Sequence, residues 1–127
     1  MIDVIKFSTG VAVGGAGNAT ATGHSQPISG RVLAVSVMYV DEPPGTTDLL
    51  VYDENDPTAD PILQFFNTNT DRKIYPRRPI STFDGADILY MEAFPVYDYF
   101  VAHGRLSAVI LGADPGDSVE LTVWLER

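Results

Sequence analysis

The sequence predicts an all-β protein built as a single antiparallel β-sandwich, jelly-roll-like or Ig-like, with seven or eight strands. Nine prolines and eleven glycines interrupt the chain, so that no long segment keeps the apolar period of an amphipathic helix. Short β-prone runs bounded by Pro, Gly, Asp or Asn recur instead at intervals of roughly 8–15 residues. With 127 residues, 45% of them hydrophobic, the chain is long enough for one domain, residues 1–127, with a normal core.

The predicted strands are, in chain order, residues 2–8, 30–40, 47–53, 61–67, 86–94, 97–104, 105–113 and 117–127. The last strand alternates apolar with mostly polar positions, which is typical of a strand with one buried face. Gly104 and the pair Pro115 and Gly116 suit tight reversals. We therefore predict that the last three strands are joined by hairpins.

The strand at residues 30–40 (GRVLAVSVMYV) is apolar on both faces. Strict alternation puts Val32, Ala34, Met38 and Val40 on one face, and Leu33, Val35, Val37 and Tyr39 on the other. Such a strand is either central in its sheet or covered on its outer side. Because an exposed apolar strand promotes association, we expect Val35, Val37 and Tyr39 to mediate self-association into a homo-oligomer.

Residues 9–30 form a Gly-, Ala- and Thr-rich N-terminal extended segment without a charged residue. One interpretation is a plain strand with a glycine bulge, followed by a loop. The other is an extended arm whose small side chains allow close approach to a neighbouring subunit. Such an arm could not bury enough apolar area by itself to offset the entropy of ordering it, whereas on a partner it could.

Charge and composition exclude several classes of function. A formal net charge of −9 argues against nucleic-acid binding, which needs a positive surface. No apolar run approaches the length of a membrane span, and the N-terminus does not resemble a signal peptide. The absence of cysteine excludes disulfides, cysteine-ligated metals and a thiol nucleophile. We expect a soluble protein made in the cytoplasm.

Candidate catalytic and metal-binding residues are few. His24 and His103 are interpreted as solvated turn residues, since neither has the neighbouring ligands of a metal site. Residues 53–60 (DENDPTAD) lack the glycine and the glutamate of a calcium loop and are interpreted as a solvated acidic loop. We predict no metal, no cofactor and no enzymatic activity.

Aromatic residues crowd into one stretch of eleven positions: Tyr90, Phe94, Tyr97, Tyr99 and Phe100. An exposed aromatic platform would suit stacking against carbohydrate. Tyrosine and phenylalanine also fill sandwich cores and subunit interfaces, and we favour that interpretation.

Three blocks of the sequence are GRVLAVSVMYVDEPPGTTDLLV (30–51), NTNTDRKIYPRRPI (67–80) and GRLSAVILGADPGDSVELTVWLE (104–126). Together they resemble a family of small proteins encoded among the structural genes of tailed phages and prophages. The resemblance implies a virion component located on the capsid exterior and made in the host cytoplasm. It implies a head decoration or cement protein whose partner is the major capsid protein. Analogy with other such proteins favours a trimer. A tail, baseplate or host-surface carbohydrate-binding module is the alternative.

The stretch 67–81 holds four of the eight basic residues of this acidic chain within seven positions. We interpret it as a docking loop for a neighbouring subunit or the major capsid protein, stiffened by prolines. Its arginines could fork onto carboxylates and its tyrosine could serve as an anchor. A solvated turn with local ion pairs is the competing interpretation, and DNA contact is less favoured. The predicted interface residues are Arg72, Lys73, Tyr75, Arg77 and Arg78.

Overall fold

The structure, a computed structural model of the chain, describes residues 1–55, 61–79, 84–86, 89–90, 94–95 and 97–127. Strands are the regular structure of these residues, and no helix among them could cross a membrane. The strands are β1 (Ile2–Ser8), β2 (Ala19–His24), β3 (Ile28–Val40), β4 (Asp48–Asp53), β5 (Leu63–Phe65), β6 (Arg72–Ile74), β7 (Arg77–Pro79), β8 (Leu89–Tyr90), β9 (Phe94–Pro95), β10 (Tyr97–Gly104), β11 (Leu106–Ala113) and β12 (Ser118–Glu126). Much of the strand predicted at 86–94 lies outside the described residues.

Two antiparallel sheets pack face to face, which confirms the predicted β-sandwich. The larger sheet has the order β1-β12-β3-β10-β7, and β6 also pairs with β3. The smaller sheet has the order β2-β11-β4-β5, and β8 pairs separately with β9. One edge of β3 pairs with β12 along most of its length. The other edge is shared, since β10 pairs with residues 28–32 and β6 with residues 35–37.

A β-bulge in β3 decides which of its side chains enter the core. Trp124 of β12 pairs with Ala34, yet the next residue, Leu125, pairs with Val32, so one extra residue, Leu33, is inserted into β3. A bulge of this kind interrupts the alternation of faces. Val32 and Val35 consequently both face the core, each with 0% exposure. The prediction from strict alternation, which put them on opposite faces, is wrong.

The predicted self-association residues lie inside the sandwich. Val35 and Val37 are buried in the chain's own core, and Tyr39 is partly buried against it. Their placement corrects the expectation that they form a surface for a second copy. The strand is apolar on both faces because it is central in its sheet, one of the two arrangements that its composition predicted.

The last three strands alternate between the sheets. β10 and β12 belong to the larger sheet and β11 to the smaller one. The predicted hairpins are therefore wrong, because the turns at Gly104 and at residues 114–117 carry the chain across the core. The same turn residues can close a hairpin or cross between sheets. The crossing lets Leu106 and Ile110 of β11 and Leu121 of β12 be buried in one core from opposite sides.

Residues 9–30 lie within the sandwich of their own chain. Ala12 and Ala19 are buried, and β2 pairs with β11, so this segment contains the strand of the first interpretation and is not an arm. The end of β1 passes close over β2. A Cβ atom at Gly23 would lie 1.8 Å from the carbonyl oxygen of Ser8, and only glycine allows that approach.

Gly23→Ala should therefore destabilise the fold. The added methyl group must push the Ser8 backbone away, and overpacking of this kind costs about 1–3 kcal/mol or more in the free energy of unfolding. Gly15→Ala is the matched control, because a Cβ at Gly15 meets nothing within 4 Å. Denaturant unfolding of both variants measures the difference. Equal stabilities for the two would contradict the close approach of β1 and β2.

Candidate functional site

The basic stretch predicted to be one docking loop forms two short strands of the larger sheet. β6 pairs with β3, whereas β7 pairs with β10. The link between them is Tyr75 and Pro76, of which Tyr75 is 62% exposed and Pro76 is buried. The positive charges are therefore fixed by main-chain pairing rather than carried on a flexible turn.

One cluster on the outer face of this sheet contains Lys73, Tyr75 and Trp124. Lys73 pairs with Ser36 on β3, which pairs on its other side with Thr122, two residues from Trp124. The Lys73 Nζ atom lies 4.3 Å from the centre of the Trp124 ring and 5.8 Å from that of Tyr75. An ammonium group within about 6 Å of a ring centre is attracted by the electrons of that ring.

A second cluster on the same face surrounds Tyr99. The guanidinium carbon of Arg77 lies 4.0 Å from the Tyr99 ring centre, and that of Arg31 lies 5.2 Å from it. Arg31 also forms an ion pair with Glu126. We call the combined surface the cation–aromatic face, and it consists of Arg31, Lys73, Tyr75, Arg77, Tyr99 and Trp124.

Arg77 has a structural role as well. Its Nη1 atom donates hydrogen bonds to the carbonyl oxygens of Leu33 at 3.2 Å and of Pro76 at 2.6 Å. Leu33 is the bulged residue of β3, between the pairing of β3 with β10 and its pairing with β6. The guanidinium thus supplies a donor to a carbonyl that regular strand pairing leaves out.

The structure separates the five predicted interface residues. Lys73, Tyr75 and Arg77 belong to the cation–aromatic face. Arg72 is directed elsewhere, with a hydrogen bond of 3.1 Å to Thr68 and its guanidinium carbon 4.4 Å from the Phe65 ring centre. Arg78 is exposed and pairs in register with Asp98, on the sheet face opposite to that of Arg77.

Three members of this face, Arg31, Tyr99 and Trp124, were not predicted from the sequence. They lie on three different strands, far from the basic stretch along the chain. One signal in the sequence indicated Trp124, which occupies one position of the otherwise polar face of the last strand. A large aromatic residue on a face predicted to be polar indicates a surface with a partner or a covering side chain.

A polar cluster at one end of the smaller sheet is the second candidate. The Ser107 hydroxyl donates to Glu54 Oε1 at 2.5 Å, and Arg105 Nε donates to Glu54 Oε2 at 2.9 Å. His24 Nδ1 lies 2.6 Å from Glu54 Oε1 and 3.0 Å from Ser107 Oγ. The prediction that His24 is a solvated turn residue is therefore incomplete. His24 belongs to a cluster that joins β2 to β11 and to the turn after β4.

This cluster has the composition of a hydrolytic triad but a different arrangement. Ser107 is fully buried, so its hydroxyl is inaccessible to a substrate, and it donates to the glutamate. A serine nucleophile would instead have its proton taken by the histidine. The arrangement is that of a clamp between strands. The described residues also contain no group of three or more His, Cys, Asp or Glu side chains that could hold a metal ion.

Glu54 should make the stability of the protein depend on acidic pH. The hydrogen bond from Ser107, followed by the hydrogen bond and charge of Arg105 and the charge of His24, lowers the pKa of Glu54 below its ordinary value. A carboxyl group with a depressed pKa in the folded state stabilises the fold above its unfolded-state pKa. That contribution is lost as the pH falls through the folded-state pKa.

Glu54→Gln removes this titration. The variant should have a lower free energy of unfolding than the wild type at neutral pH. This difference in unfolding free energy should shrink as the pH falls below the ordinary pKa of glutamate. Glu120→Gln is the control, because Glu120 is exposed and belongs to no ion pair among the described residues. The measurement is denaturant unfolding across the acidic pH range. A gap between wild type and Glu54→Gln that stays constant with pH would contradict the clamp.

Arg77 and Arg78 should differ in their effect on stability. Arg77→Ala removes two hydrogen bonds and the contact with Tyr99, so we expect a loss of about 1–3 kcal/mol. Arg78→Ala should change stability by less than about 0.5 kcal/mol, as is usual for an exposed side chain. Thermal or denaturant unfolding compares the two. Equal effects would contradict the structural role of Arg77.

Comparisons with known proteins show a similar fold but no family. No family model matches the chain, and no curated protein does. The solved structure of FlhE aligns over 99% of this chain and 98% of its own, with a TM-score of 0.52 and 14% identity. A variant of CBM29-2, a family 29 carbohydrate binding module, aligns over 99% of this chain and 91% of its own, with a TM-score of 0.43 and 10% identity. The likeness to FlhE at this identity shows a shared fold alone, and the more distant likeness to CBM29-2 carries no inference.

Proposed function

We propose that this chain is a non-enzymatic structural protein of a phage virion, a capsid decoration or cement protein that docks through its cation–aromatic face onto the major capsid protein. The observation that carries the proposal is a concentration of positive charge over aromatic rings on one sheet face of a chain whose net charge is −9. Such a face orients an acidic protein, because it attracts a carboxylate-bearing surface while the rest of the molecule repels it.

The contacts within the face favour a partner that bears carboxylates. Arg31 is engaged by Glu126 and Arg77 by main-chain carbonyls. The Lys73 ammonium is exposed, lies over Trp124 and makes no hydrogen bond with a described residue. Its donors are therefore available to a carboxylate, and desolvation by the neighbouring rings would strengthen that contact.

The same contacts disfavour carbohydrate as the ligand. A sugar ring binds by stacking against the open face of an aromatic side chain. In this protein Lys73 lies over Trp124, and Arg77 and Arg31 lie over Tyr99. A sugar would have to displace these cations before it could stack.

The remaining features suit an interface between proteins. Exposed Met38 and Val101 lie on the same outer face as the cations, and Tyr75 provides an exposed aromatic anchor. Interfaces combine apolar and aromatic anchors with a polar rim in this way. The resemblance of three sequence blocks to phage structural proteins supplies the setting, and a small all-β subunit can add interface area to a shell without any chemistry.

Truncation of the exposed members of the face should weaken docking. We expect Lys73→Ala together with Tyr75→Ala to lower the affinity for capsids at least tenfold, since loss of a desolvated charged contact costs about 2–5 kcal/mol. Arg78→Ala, which removes one exposed positive charge from the opposite face of β7, is the matched control and should bind like the wild type. The assay is co-sedimentation with heads assembled from the major capsid protein of the encoding phage or prophage, without this protein.

The outcomes of this assay separate the functional classes. Binding of the wild type and the control with loss in the double variant supports docking through the cation–aromatic face. Equal binding of the wild type, the double variant and the control would show that the cation–aromatic face is not the docking surface. Failure of the wild type to bind heads, with binding to purified tails or host cell-wall polysaccharide in a parallel assay, would replace the proposal by the tail or host-surface alternative.

A further inference from the structure

Strand β1 is an open edge of the larger sheet. It pairs with β12 over all seven of its residues, and no other described strand pairs with it. Ile2 and Val4 are 60% and 50% exposed. An unpaired edge with apolar side chains is a template on which another strand can pair.

The main-chain groups that point away from β12 belong to the even-numbered residues. The Met1 carbonyl accepts a hydrogen bond from Arg127, and the Thr9 N–H donates to the Val119 carbonyl. In an antiparallel pair the residues that exchange such bonds alternate, so the odd-numbered residues face β12. The N–H and C=O groups of Ile2, Val4 and Lys6 therefore face the open edge, whereas the Ser8 carbonyl lies against Gly23 of β2.

The other described edges are shorter or partly covered. β7 and β5, which end the two sheets on the other side, have three residues each. At the edge of β2, Val13 and Thr20 exchange both of their main-chain hydrogen bonds. The strand that matches the length of an open β1 is therefore β1 of a second copy.

We propose that two copies of this chain associate by antiparallel pairing of their β1 strands around a two-fold axis at Val4. In this register Val4 lies opposite Val4 of the partner subunit, and Ile2 lies opposite Lys6 of the partner subunit. Each of these pairs exchanges both of its main-chain hydrogen bonds. The pairing ends before Ser8, whose hydroxyl already accepts the Gly10 N–H as the chain turns away.

Repulsion between like charges disfavours the neighbouring register that centres on Lys6. Ile2 pairs in register with Glu126, so Lys6 of the partner subunit enters the row of Ile2 and Glu126 on the outer face. Lys6 is kept away from its own symmetry mate, and like charges directly opposite each other are destabilising. The carboxylate of Asp3, on the inner side of the edge, is already paired with Arg127 at 2.5 Å.

The dimer would place the two larger sheets in one continuous sheet, with two cation–aromatic faces side by side. A surface that carries such faces in pairs would bind a repeating acidic surface more tightly than either copy alone. The dimer itself follows from the open edge and does not depend on the nature of the docking partner.

Single cysteines test the register, because the chain has no cysteine of its own. In the proposed dimer the Cα atoms at position 4 are about 5.5 Å apart, within the range of about 4.4–6.8 Å that a disulfide spans. Val4→Cys should therefore form a covalent dimer under mild oxidation. Lys6→Cys is the matched control on the same edge, since its symmetry mate lies four residues away along the strand, about 13 Å. Val101→Cys is the control for random collision on an exposed surface.

Proline at position 4 tests the main-chain pairing. Val4→Pro removes an N–H that faces the open edge and leaves the pairing with β12 intact, so an edge strand tolerates it. Sedimentation equilibrium from micromolar to millimolar concentration should show a monomer–dimer equilibrium for the wild type, weakened at least about tenfold in the variant. Val4→Glu, which places two carboxylates on the two-fold axis, is the second variant in case the proline disturbs the fold.

The proposal is supported by preferential cross-linking of Val4→Cys and by loss of the wild-type dimer in whichever position-4 variant is folded. It is overturned if the wild type stays monomeric at millimolar concentration. It is also overturned if Lys6→Cys cross-links as readily as Val4→Cys, or if a folded position-4 variant dimerises like the wild type. Capsid binding enters none of these measurements, so failure here and failure of the proposed function are distinguishable.

Discussion

The central strand β3 pairs with partners on both of its edges around a single bulged residue, and this pairing sets both the core and the outer surface of the larger sheet. The extra residue at Leu33 turns Val32 and Val35 to the same side, where both are fully buried. On the edge of β3 opposite β12, the pairing strand changes from β10 to β6 at the same place. The carbonyl of Leu33 is left without a strand partner, and Arg77 donates to it. Core packing and surface charge are therefore coupled at this bulge.

This coupling explains why the basic residues of an acidic chain are not interchangeable. Arg77 stabilises the sheet and presents charge beside Tyr99, whereas the Lys73 ammonium lies over Trp124 and makes no hydrogen bond with a described residue. The first is held by the fold, and the second is available to a partner. A rigid sheet that fixes its cations over aromatic rings loses little conformational entropy when it binds, which is the advantage of a preorganised surface.

The smaller sheet contains a strand, β2, whose side chains have little apolar bulk and which is held mainly by polar contacts. β2 consists mainly of alanine, threonine and glycine, so burial alone contributes little to holding it. Its pairing with β11 and the clamp of Glu54 with Ser107 and His24 supply polar contacts in place of large side chains. Gly23 allows the end of β1 to cross over this strand, which brings the first two strands together at one side of the sandwich.

The fold class, the positions of most long strands and the buried face of β12 could be predicted from the sequence, because alternation and turn chemistry are local properties. Lys73, Tyr75 and Arg77 could also be located through their clustering along the chain. The tertiary structure alone decided that β11 and β12 lie in different sheets, because the same turn residues serve hairpins and crossings between sheets. It alone decided the inner face of β3, because a one-residue bulge reverses every side chain beyond it. The contacts of Tyr99 and Trp124 with the basic residues could likewise not be predicted from the sequence, since strand neighbours are set by pairing across the sheet and not by distance along the chain.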